Sequence, residues 1–411
     1  MKFLINITAL LILTFTASNA QILDNYFKIA AENNPGLQAK YKDFEAAMQK
    51  VPQVSTLSDP TLSFGYFISP AETRVGPQRA RFSLTQMFPW FGTLKAQGNA
   101  ASLMAEAKYQ SFLDARNRLF YQVATAYYSL SELKRWKKIE QKNIEILQSY
   151  KNFTNSRFKN GTGAMADVLR VDILLNDANT SLSILDQKEK PLLAAFNQLL
   201  NRHEHEAAIV TDSLASDDLP DHFREDILLK NNPVLNELDL KIKSSEASAL
   251  AAQKQGLPKL GVGLDYVVVG ERSDLAISDN GKDVFMPMIT VTIPVFRRKY
   301  QASVKEMQLI QENYSLQKEE YTNSLSSSYE MAWFETEQQK ELLILYGRQI
   351  RESGQVLNLL FSAYANSEVS FDEILSMQQQ ILKYEKMKAT AEAQYQVAIA
   401  RLNYLTAKSY Q

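Results

Sequence analysis

Two short patterns in the sequence place metal-binding side chains close together. Residues 203–206 alternate histidine with glutamate, and imidazole and carboxylate groups both bind divalent metals. Met286 and Met288 lie two residues apart, and their thioethers suit a copper ion. Neither pattern is supported by further ligands, so we interpret the first as a solvated linker and the second as strand packing. We therefore expect no metal site and no cofactor.

Catalysis has no support in the sequence, which contains no nucleophile elbow, phosphate-binding loop or histidine–carboxylate triad. We expect no catalytic residue and predict that the protein is not an enzyme. We also expect no nucleic-acid partner, because 45 Lys and Arg residues balance 46 Asp and Glu residues. The lack of cysteine excludes disulfides, thiolate metal sites and a lipid-bearing N-terminal cysteine. Any membrane attachment must therefore come from the fold.

The start of the chain has the pattern of a secretory signal sequence over residues 1–20. Lys2 precedes an apolar run over residues 3–17, and Ser18-Asn19-Ala20 has the small-x-small pattern of a cleavage site. We predict that the mature protein begins at Gln21. An amphipathic first helix is the alternative, but the run lacks a polar face. Beyond residue 20, no stretch approaches the ~20 apolar residues of a spanning helix, so any membrane-spanning part would consist of strands.

The two halves of the chain repeat one pattern in the same order. The matching segments are Asn33-Asn34-Pro35 with Asn231-Asn232-Pro233, Pro60 with Pro258, Pro89 with Pro294, Ala126-Tyr127-Tyr128 with Ala332-Trp333-Phe334, and Asp167 with Glu373. The spacing drifts only where a surface loop changes length, as expected for two copies of one unit. We predict repeat 1 at residues 21–200 and repeat 2 at residues 222–411, joined by a polar linker at 201–221.

Each repeat is predicted to contain a helix, a β-hairpin, a very long helix and an antiparallel helix. In repeat 1 these are helix 36–55, hairpin about 61–88, and helices 94–157 and 164–200. In repeat 2 they are helix 234–255, hairpin about 259–293, and helices 300–364 and 370–408. The apolar positions of the long helices are typical of a coiled-coil seam. The predicted fold class is therefore mainly α with a small β part.

The predicted strands have one apolar and one polar face. Leu62, Phe64 and Tyr66 share a face, and Val262 and Leu264 do the same in the second hairpin. Such strands are typical of a transmembrane barrel, but four strands are too few to close one. Three copies would supply twelve strands, and their long helices would extend the barrel as an α-helical barrel with a watery lumen. A soluble hairpin pair packed on helices is the alternative interpretation.

The sequence resembles the TolC-type outer-membrane efflux channels, the outer membrane factor family, over nearly all of the mature chain. The segments that carry this resemblance are Asn33-Asn34-Pro35, Pro60, residues 86–92, Ala126-Tyr127-Tyr128, Phe158-x-x-Gly161 with Asp167-Val168-Leu169, and Tyr364 with Glu373-Ile374-Leu375. The resemblance implies a homotrimer with a twelve-stranded barrel in the outer membrane of a Gram-negative bacterium. It also implies a periplasmic tunnel that opens when a periplasmic adaptor, or membrane fusion protein, and an inner-membrane pump dock at its tip.

The resemblance also implies roles for residues near the two helix turns. Asp167 and Tyr364 fall where the family joins its helix pairs by a carboxylate–tyrosine hydrogen bond, and Glu373, beside Asp372, falls where it places an acidic ring. The turns implied to contact the adaptor contain Phe158, Gly161, Gly163, Ser367 and Val369. The alternative interpretation is that the three acidic residues only favour the N-terminal turns of their helices.

The sequence departs from the family pattern at two positions. Val369 stands where a basic residue is expected, and Ser376 stands where a second acidic residue is expected, so the gate could be latched differently. We predict the exit duct of an efflux or type I secretion system, with metal ions, drugs or proteins as candidate cargo. The rival prediction is a secreted periplasmic coiled-coil structural or adaptor protein.

Overall fold

The computed structural model describes residues 22–211, 231–274, 277–366 and 368–407. The predicted signal sequence, residues 212–221 of the predicted linker, and Ser367 lie outside these described residues.

Long helices dominate the described part of the chain. The helices are α1 (22–33), α2 (Pro35–Ser55), α3 (Thr93–Lys159), α4 (Met165–Leu199), α5 (Pro233–Gln255), α6 (Arg298–Ala365) and α7 (Phe371–Leu405). Local sequence explains several of their ends. Pro35 opens α2, where a missing N–H costs little, and the Asn34 side chain accepts a hydrogen bond from Leu37 N at 3.0 Å. Gly161, with φ of 73°, follows the end of α3 in the left-handed conformation.

The strands are β1 (Thr61–Thr73), β2 (Gly76–Phe88), β3 (Lys259–Val269) and β4 (Val284–Thr292). They form one antiparallel sheet in the order β1-β2-β3-β4. The order helix, two strands, long helix, helix therefore occurs twice along the chain. This arrangement confirms the predicted fold class, mainly α with a small β part. The duplication itself and the trimer stay predictions.

The two faces of the sheet differ in chemistry because side chains alternate along each strand. One face carries an aromatic row in register across all four strands, consisting of Phe64, Phe82, Tyr266 and Phe285. Neighbouring rings in this row have centroids 4.8 to 6.4 Å apart. The other face carries an ion pair between Arg81 and the fully buried Asp265. The sheet is thus apolar on one side and contains charged groups on the other.

The chain divides into two compact units. Among the described residues, the first unit takes those within Met1–Lys40, Phe112–Pro233 and Thr322–Gln411, and the second takes those within Tyr41–Ser111 and Val234–Tyr321. The first unit has a core around Phe27, Val123 and Phe196. The second contains the sheet, and its helices are joined by contacts such as Ser244 Oγ to Ala100 O at 2.8 Å. Among the described residues, none of the helices has the length and apolar character needed to cross a membrane.

The described part of the predicted linker is held by tyrosine hydroxyls within the first unit. Ile209 N donates to Tyr26 Oη at 2.8 Å, and Thr211 N donates to Tyr127 Oη at 3.2 Å. Ser131 Oγ also donates to Thr211 O at 2.8 Å. Residues 209–211 therefore follow a fixed path across the core, because these hydrogen bonds satisfy their backbone groups.

Candidate functional site

The implied gate residues lie at one end of the first unit, which we call the helix tip. The tip contains the α3–α4 turn (160–164), the described residues of the α6–α7 turn (366 and 368–370) and the helix ends that these turns join. A buried apolar group, here called the tip cluster, draws on all four helices and consists of Leu147, Val171, Leu175, Ala178, Tyr364, Phe371, Ile374 and Leu375. The tip cluster therefore packs the α3–α4 pair against the α6–α7 pair.

Phe371 lies at the centre of the aromatic contacts of the tip. Its side chain is 1% exposed, and it is the first residue of α7. Its ring centroid lies 5.8 Å from Tyr150, 6.2 Å from Phe153 and 5.4 Å from Tyr364. These separations fall within the range at which aromatic rings attract one another in tilted or edge-to-face geometry. Phe371 thus joins α7 to both α3 and α6.

Tyr364 is buried, and its hydroxyl makes no hydrogen bond to Asp167 in the structure. The ring instead lies under the guanidinium of Arg157, whose Cζ is 4.6 Å from the ring centroid. Burial raises the pKa of the Tyr364 hydroxyl, Arg157 lowers it, and the charge of Asp167 raises it again. The structure therefore lacks the direct bond implied by the resemblance, and the Asp167 carboxylate only disfavours ionisation of the Tyr364 hydroxyl. A role for the two residues in gating stays a prediction.

Arg170 of α4 lies between two of the implied gate carboxylates. Its Nη1 is 3.8 Å from Asp167 Oδ1 on the same helix and 3.5 Å from Asp372 Oδ1 on α7. The structure thus provides a cation on α4, although the second turn has Val369 where a basic residue was expected. Val369 packs against the tip cluster.

Glu373 folds back onto the start of its own helix. The backbone N–H of Ser370 donates to Glu373 Oε1 at 3.3 Å, and the Ser370 hydroxyl donates to the same oxygen at 3.4 Å. This is the reciprocal part of a capping box, which satisfies backbone donors that α7 cannot satisfy itself. The contact supports the structural interpretation of Glu373, and its part in an acidic ring is untested.

The α3–α4 turn presents an exposed aromatic residue on a tightly bonded backbone. Phe158 is 44% exposed. Arg157 Nη2 donates to Thr162 O at 2.9 Å, and Thr162 N donates to Arg157 O at 2.9 Å. A side chain at Gly163 would approach Arg157 Cβ to 2.9 Å, so this position needs glycine. The turn is therefore rigid enough to present Phe158 in a defined position.

The buried and exposed contacts of the tip differ in strength. The side chains of Arg170 and Asp372 are 50% and 55% exposed, and an exposed ion pair contributes about 0–1 kcal/mol. Truncating a buried phenylalanine to alanine usually costs about 3–5 kcal/mol. Apolar packing around Phe371 is therefore the larger contribution to the stability of the tip.

The residues of the two metal-binding patterns make other contacts in the structure. Glu204 Oε1 lies 3.2 Å from His205 Nε2, but the described part of the chain has no group of three or more His, Cys, Asp or Glu residues suited to a metal. Met288 packs beside Gly263 on the sheet: a Cβ added to Gly263 would lie 3.5 Å from Met288 Cε.

Sequence reasoning missed Arg170 and Phe371. Arg170 follows Asp167 at the i+3 spacing of a helical ion pair, which was a usable signal. Its contact with Asp372 depends on the approach of two helices that are distant in sequence, so no local sequence pattern could predict this contact. Phe371 begins an apolar set with Ile374 and Leu375, which could have indicated a buried helix start.

Comparison with known proteins gives a family match for part of the chain and a shared fold for nearly all of it. Residues 27–202 match the family described as outer membrane efflux protein. Nodulation protein T of Rhizobium leguminosarum bv. trifolii is 21% identical over 262 residues, which cover 60% of this chain and 55% of that protein. The matched region thus spans about half the length of this curated relative.

Solved structures of outer-membrane proteins have the same fold. CusC, described in terms of transmembrane channel formation, superposes with a TM-score of 0.79 at 16% identity, covering 94% of this chain and 92% of that one. VceC, an outer membrane protein of Vibrio cholerae, gives 0.76 at 14% identity, covering 95% and 97%. The open state of MtrE, an outer membrane channel of Neisseria gonorrhoeae, gives 0.71 at 17% identity, covering 94% and 88%. The chain thus has the fold of these channels, and its residues 27–202 match the outer membrane efflux protein family.

Proposed function

We propose that three copies of this chain form the outer-membrane exit duct of a tripartite efflux or type I secretion system. The duct receives its cargo from an inner-membrane pump and a periplasmic adaptor, and it opens at the helix tip. The observation that carries this proposal is the exposed apolar face of the sheet. Leu62, Tyr66 and Ile289 on this face are 70%, 69% and 82% exposed. A contiguous apolar surface of this kind usually marks contact with lipid or protein.

The length of the strands suits a bilayer. A transmembrane strand tilted by about 45° needs about 9–11 residues. The four strands contain 13, 13, 11 and 9 residues. The opposite face, with its Arg81–Asp265 ion pair, suits a watery lumen. Outer-membrane lipid would therefore surround the apolar face.

Closure of the sheet requires further copies of the chain. Within one chain, β1 and β4 are edge strands whose outer sides lack a neighbouring strand among the described residues. Because four is an even number, β4 of one copy would meet β1 of the next in antiparallel orientation. Three copies would supply twelve strands, within the range of closed outer-membrane barrels. Such closure removes sheet edges that lipid could not satisfy.

The helices of the first unit are arranged to assemble in the same way. Ion pairs and hydrogen bonds join α4 to α3 (Asp172 to Lys151, 2.6 Å), α3 to α7 (Glu132 to Thr390, 2.6 Å) and α7 to α6 (Arg401 to Glu335, 2.8 Å). The outer helices α4 and α6 carry exposed apolar residues at helical spacings, namely Met165, Leu169, Ile173 and Ile184 on α4 and Phe334, Leu345, Val356 and Leu359 on α6. We infer that α4 of one copy packs on α6 of the next.

Two adjacent positions on β4 provide a test of the lipid-facing surface. Ile289 and Thr290 are both exposed in the single chain but lie on opposite faces of the sheet. A lysine in contact with the bilayer midplane costs about 2–4 kcal/mol, whereas one facing a watery lumen costs little. We expect Ile289→Lys to reduce the yield of outer-membrane trimer, and Thr290→Lys to assemble like the wild type.

The same experiment separates the proposed duct from the rival function. Membrane fractionation and heat-modifiable migration on gels report assembly, and planar bilayers report conductance. A periplasmic coiled-coil protein would tolerate both lysine variants equally and would be recovered in the soluble fraction. That result would remove the proposed function.

A further inference from the structure

We propose that buried apolar packing around Phe371 holds the helix tip closed, and that the exposed ion pairs of the tip make a minor contribution. This inference rests on the proposed function, because it concerns how the duct opens. It assigns the main resistance to opening to Phe371, a residue outside the polar positions implied by the resemblance.

The tip cluster joins the helices that would have to separate. Phe371 of α7 contacts the rings of Tyr150 and Phe153 on α3, with centroids 5.8 and 6.2 Å apart. Phe361 of α6 also contacts Tyr150, with centroids 5.7 Å apart. Parting the α3–α4 pair from the α6–α7 pair would therefore expose these aromatic rings to water, which is unfavourable in proportion to the apolar area exposed.

The depth of burial supports the same view. Val171 of α4 and Ile374 of α7 are both 0% exposed, and Phe371 is 1% exposed. These residues come from both helix pairs, so the most deeply buried part of the tip lies across the seam that opening would break. Well-packed interiors tolerate the loss of such contacts poorly.

The polar contacts across this seam are weaker and more sensitive to salt. Arg170 and Asp372 have half-exposed side chains 3.5 Å apart. At 1 M salt the Debye length is about 3 Å, so such an exposed pair is largely screened. Apolar packing is not weakened by salt in this way. Salt therefore distinguishes an ion-pair latch from an apolar one.

The test is the conductance of the full-length protein in planar bilayers at 0.1 M and 1 M KCl, divided by the conductivity of the solution. We expect the wild type to remain largely closed at both concentrations. Phe371→Ala should raise the open fraction by about 100-fold, as expected for the loss of a buried phenylalanine. Arg170→Gln should raise it by less than about fivefold, and only at low salt.

Leu316→Ala is the control, because it shortens an exposed apolar side chain of α6 that lies outside the tip cluster. We expect its open fraction to equal that of the wild type. Opening of the wild type by salt alone would overturn the inference, as would equal opening by Arg170→Gln and Phe371→Ala.

The remaining outcomes also decide the question. If Phe371→Ala does not assemble, the wild-type salt series and the milder Phe371→Leu variant provide the same comparison. If neither the wild type nor any variant inserts or conducts, the proposed duct is wrong. That result differs from the one that overturns only this inference, in which the channel conducts but its opening does not depend on Phe371.

Discussion

Arg170 of α4 forms an ion pair with Asp372 of α7, with 3.5 Å between Nη1 and Oδ1. The guanidinium is also 3.8 Å from Asp167, so one cation lies beside two carboxylates that would otherwise repel each other. The structure thus places the basic partner of these carboxylates on α4, and Val369 on the other turn packs into the tip cluster.

Loss of this ion pair should loosen the tip only slightly. We expect Arg170→Gln to increase amide hydrogen exchange in the first turns of α4 and α7 by less than about fivefold at low salt, because exposed pairs contribute about 0–1 kcal/mol. The difference should vanish at 1 M salt. Lys159→Gln, which removes an exposed charge at the end of α3, provides the control. A tenfold or larger increase that persists at high salt would contradict this assignment.

The long helices could be predicted because the sequence patterns that indicate them are local. The predicted helix 94–157 is Thr93–Lys159 in the structure, and the predicted helix 300–364 is Arg298–Ala365. Apolar periodicity and Gly161 after α3 are sufficient to place such ends within about two residues. The amphipathic strands were visible for the same reason, since side chains alternate along a strand.

The candidate site was less predictable because its contacts join residues distant in sequence. The resemblance supplied Asp167 and Tyr364 as partners, but a nearby arginine covers the Tyr364 ring instead. The resemblance implied a shared acidic ring for Glu373, which stays a prediction, and in the single chain its carboxylate accepts a hydrogen bond from the cap residue of its own helix. The partner of Tyr364 depended on tertiary packing, whereas the Ser370-x-x-Glu373 capping box is a local pattern that the sequence already contained.

A buried ion pair between α3 and α7 provides a stability prediction. Glu140 is 1% exposed and pairs with Lys386, and Asn143 Nδ2 also donates to Glu140 Oε1 at 3.1 Å. Removing the cation leaves a buried carboxylate without its counter-charge. We expect Lys386→Met to lower the free energy of unfolding by about 3 kcal/mol, measured by thermal loss of the helical circular dichroism signal.

Lys383→Met is the control for this variant, because Lys383 is an exposed lysine on the same helix and forms no ion pair with another of the described residues. It should change the free energy of unfolding by less than about 0.5 kcal/mol. The double variant Glu140→Leu with Lys386→Met should regain much of the loss, since no charge is then buried. Equal effects of the two lysine variants would show that the ion pair is unimportant.

The turn between β1 and β2 depends on a glycine. Gly76 has φ of 132°, and a Cβ there would lie 1.9 Å from Gly270 O. Gly76→Ala should therefore destabilise the sheet by about 3 kcal/mol or more and reduce the amount of assembled oligomer on unheated gels. Gly65→Ala is the control, because no atom lies within 4 Å of its added Cβ. Similar assembly of the two variants would contradict the strain assigned to this turn.

Tyr150 at the tip provides a prediction about pH. Burial raises the pKa of its hydroxyl to about 12, and the hydroxyl donates to Gln378 Oε1 at 3.4 Å. Between about pH 10, where an unfolded tyrosine ionises, and pH 12, the unfolded chain loses this proton while the folded protein keeps it. The free energy of unfolding should therefore fall as the pH rises through this window, and Tyr150→Phe should reduce that dependence.

Tyrosinate absorbance at 295 nm provides the direct measurement for Tyr150. The difference between the wild type and Tyr150→Phe should titrate near pH 12 in the folded protein and near pH 10 in urea. Because Tyr150 contacts Phe371, a variant that opens the tip should let water reach the phenol and lower its pKa. We therefore expect the Tyr150 titration in Phe371→Ala to shift toward pH 10. An unchanged titration in this variant, despite raised conductance, would mean that the tip opens without exposing Tyr150 of α3 to water.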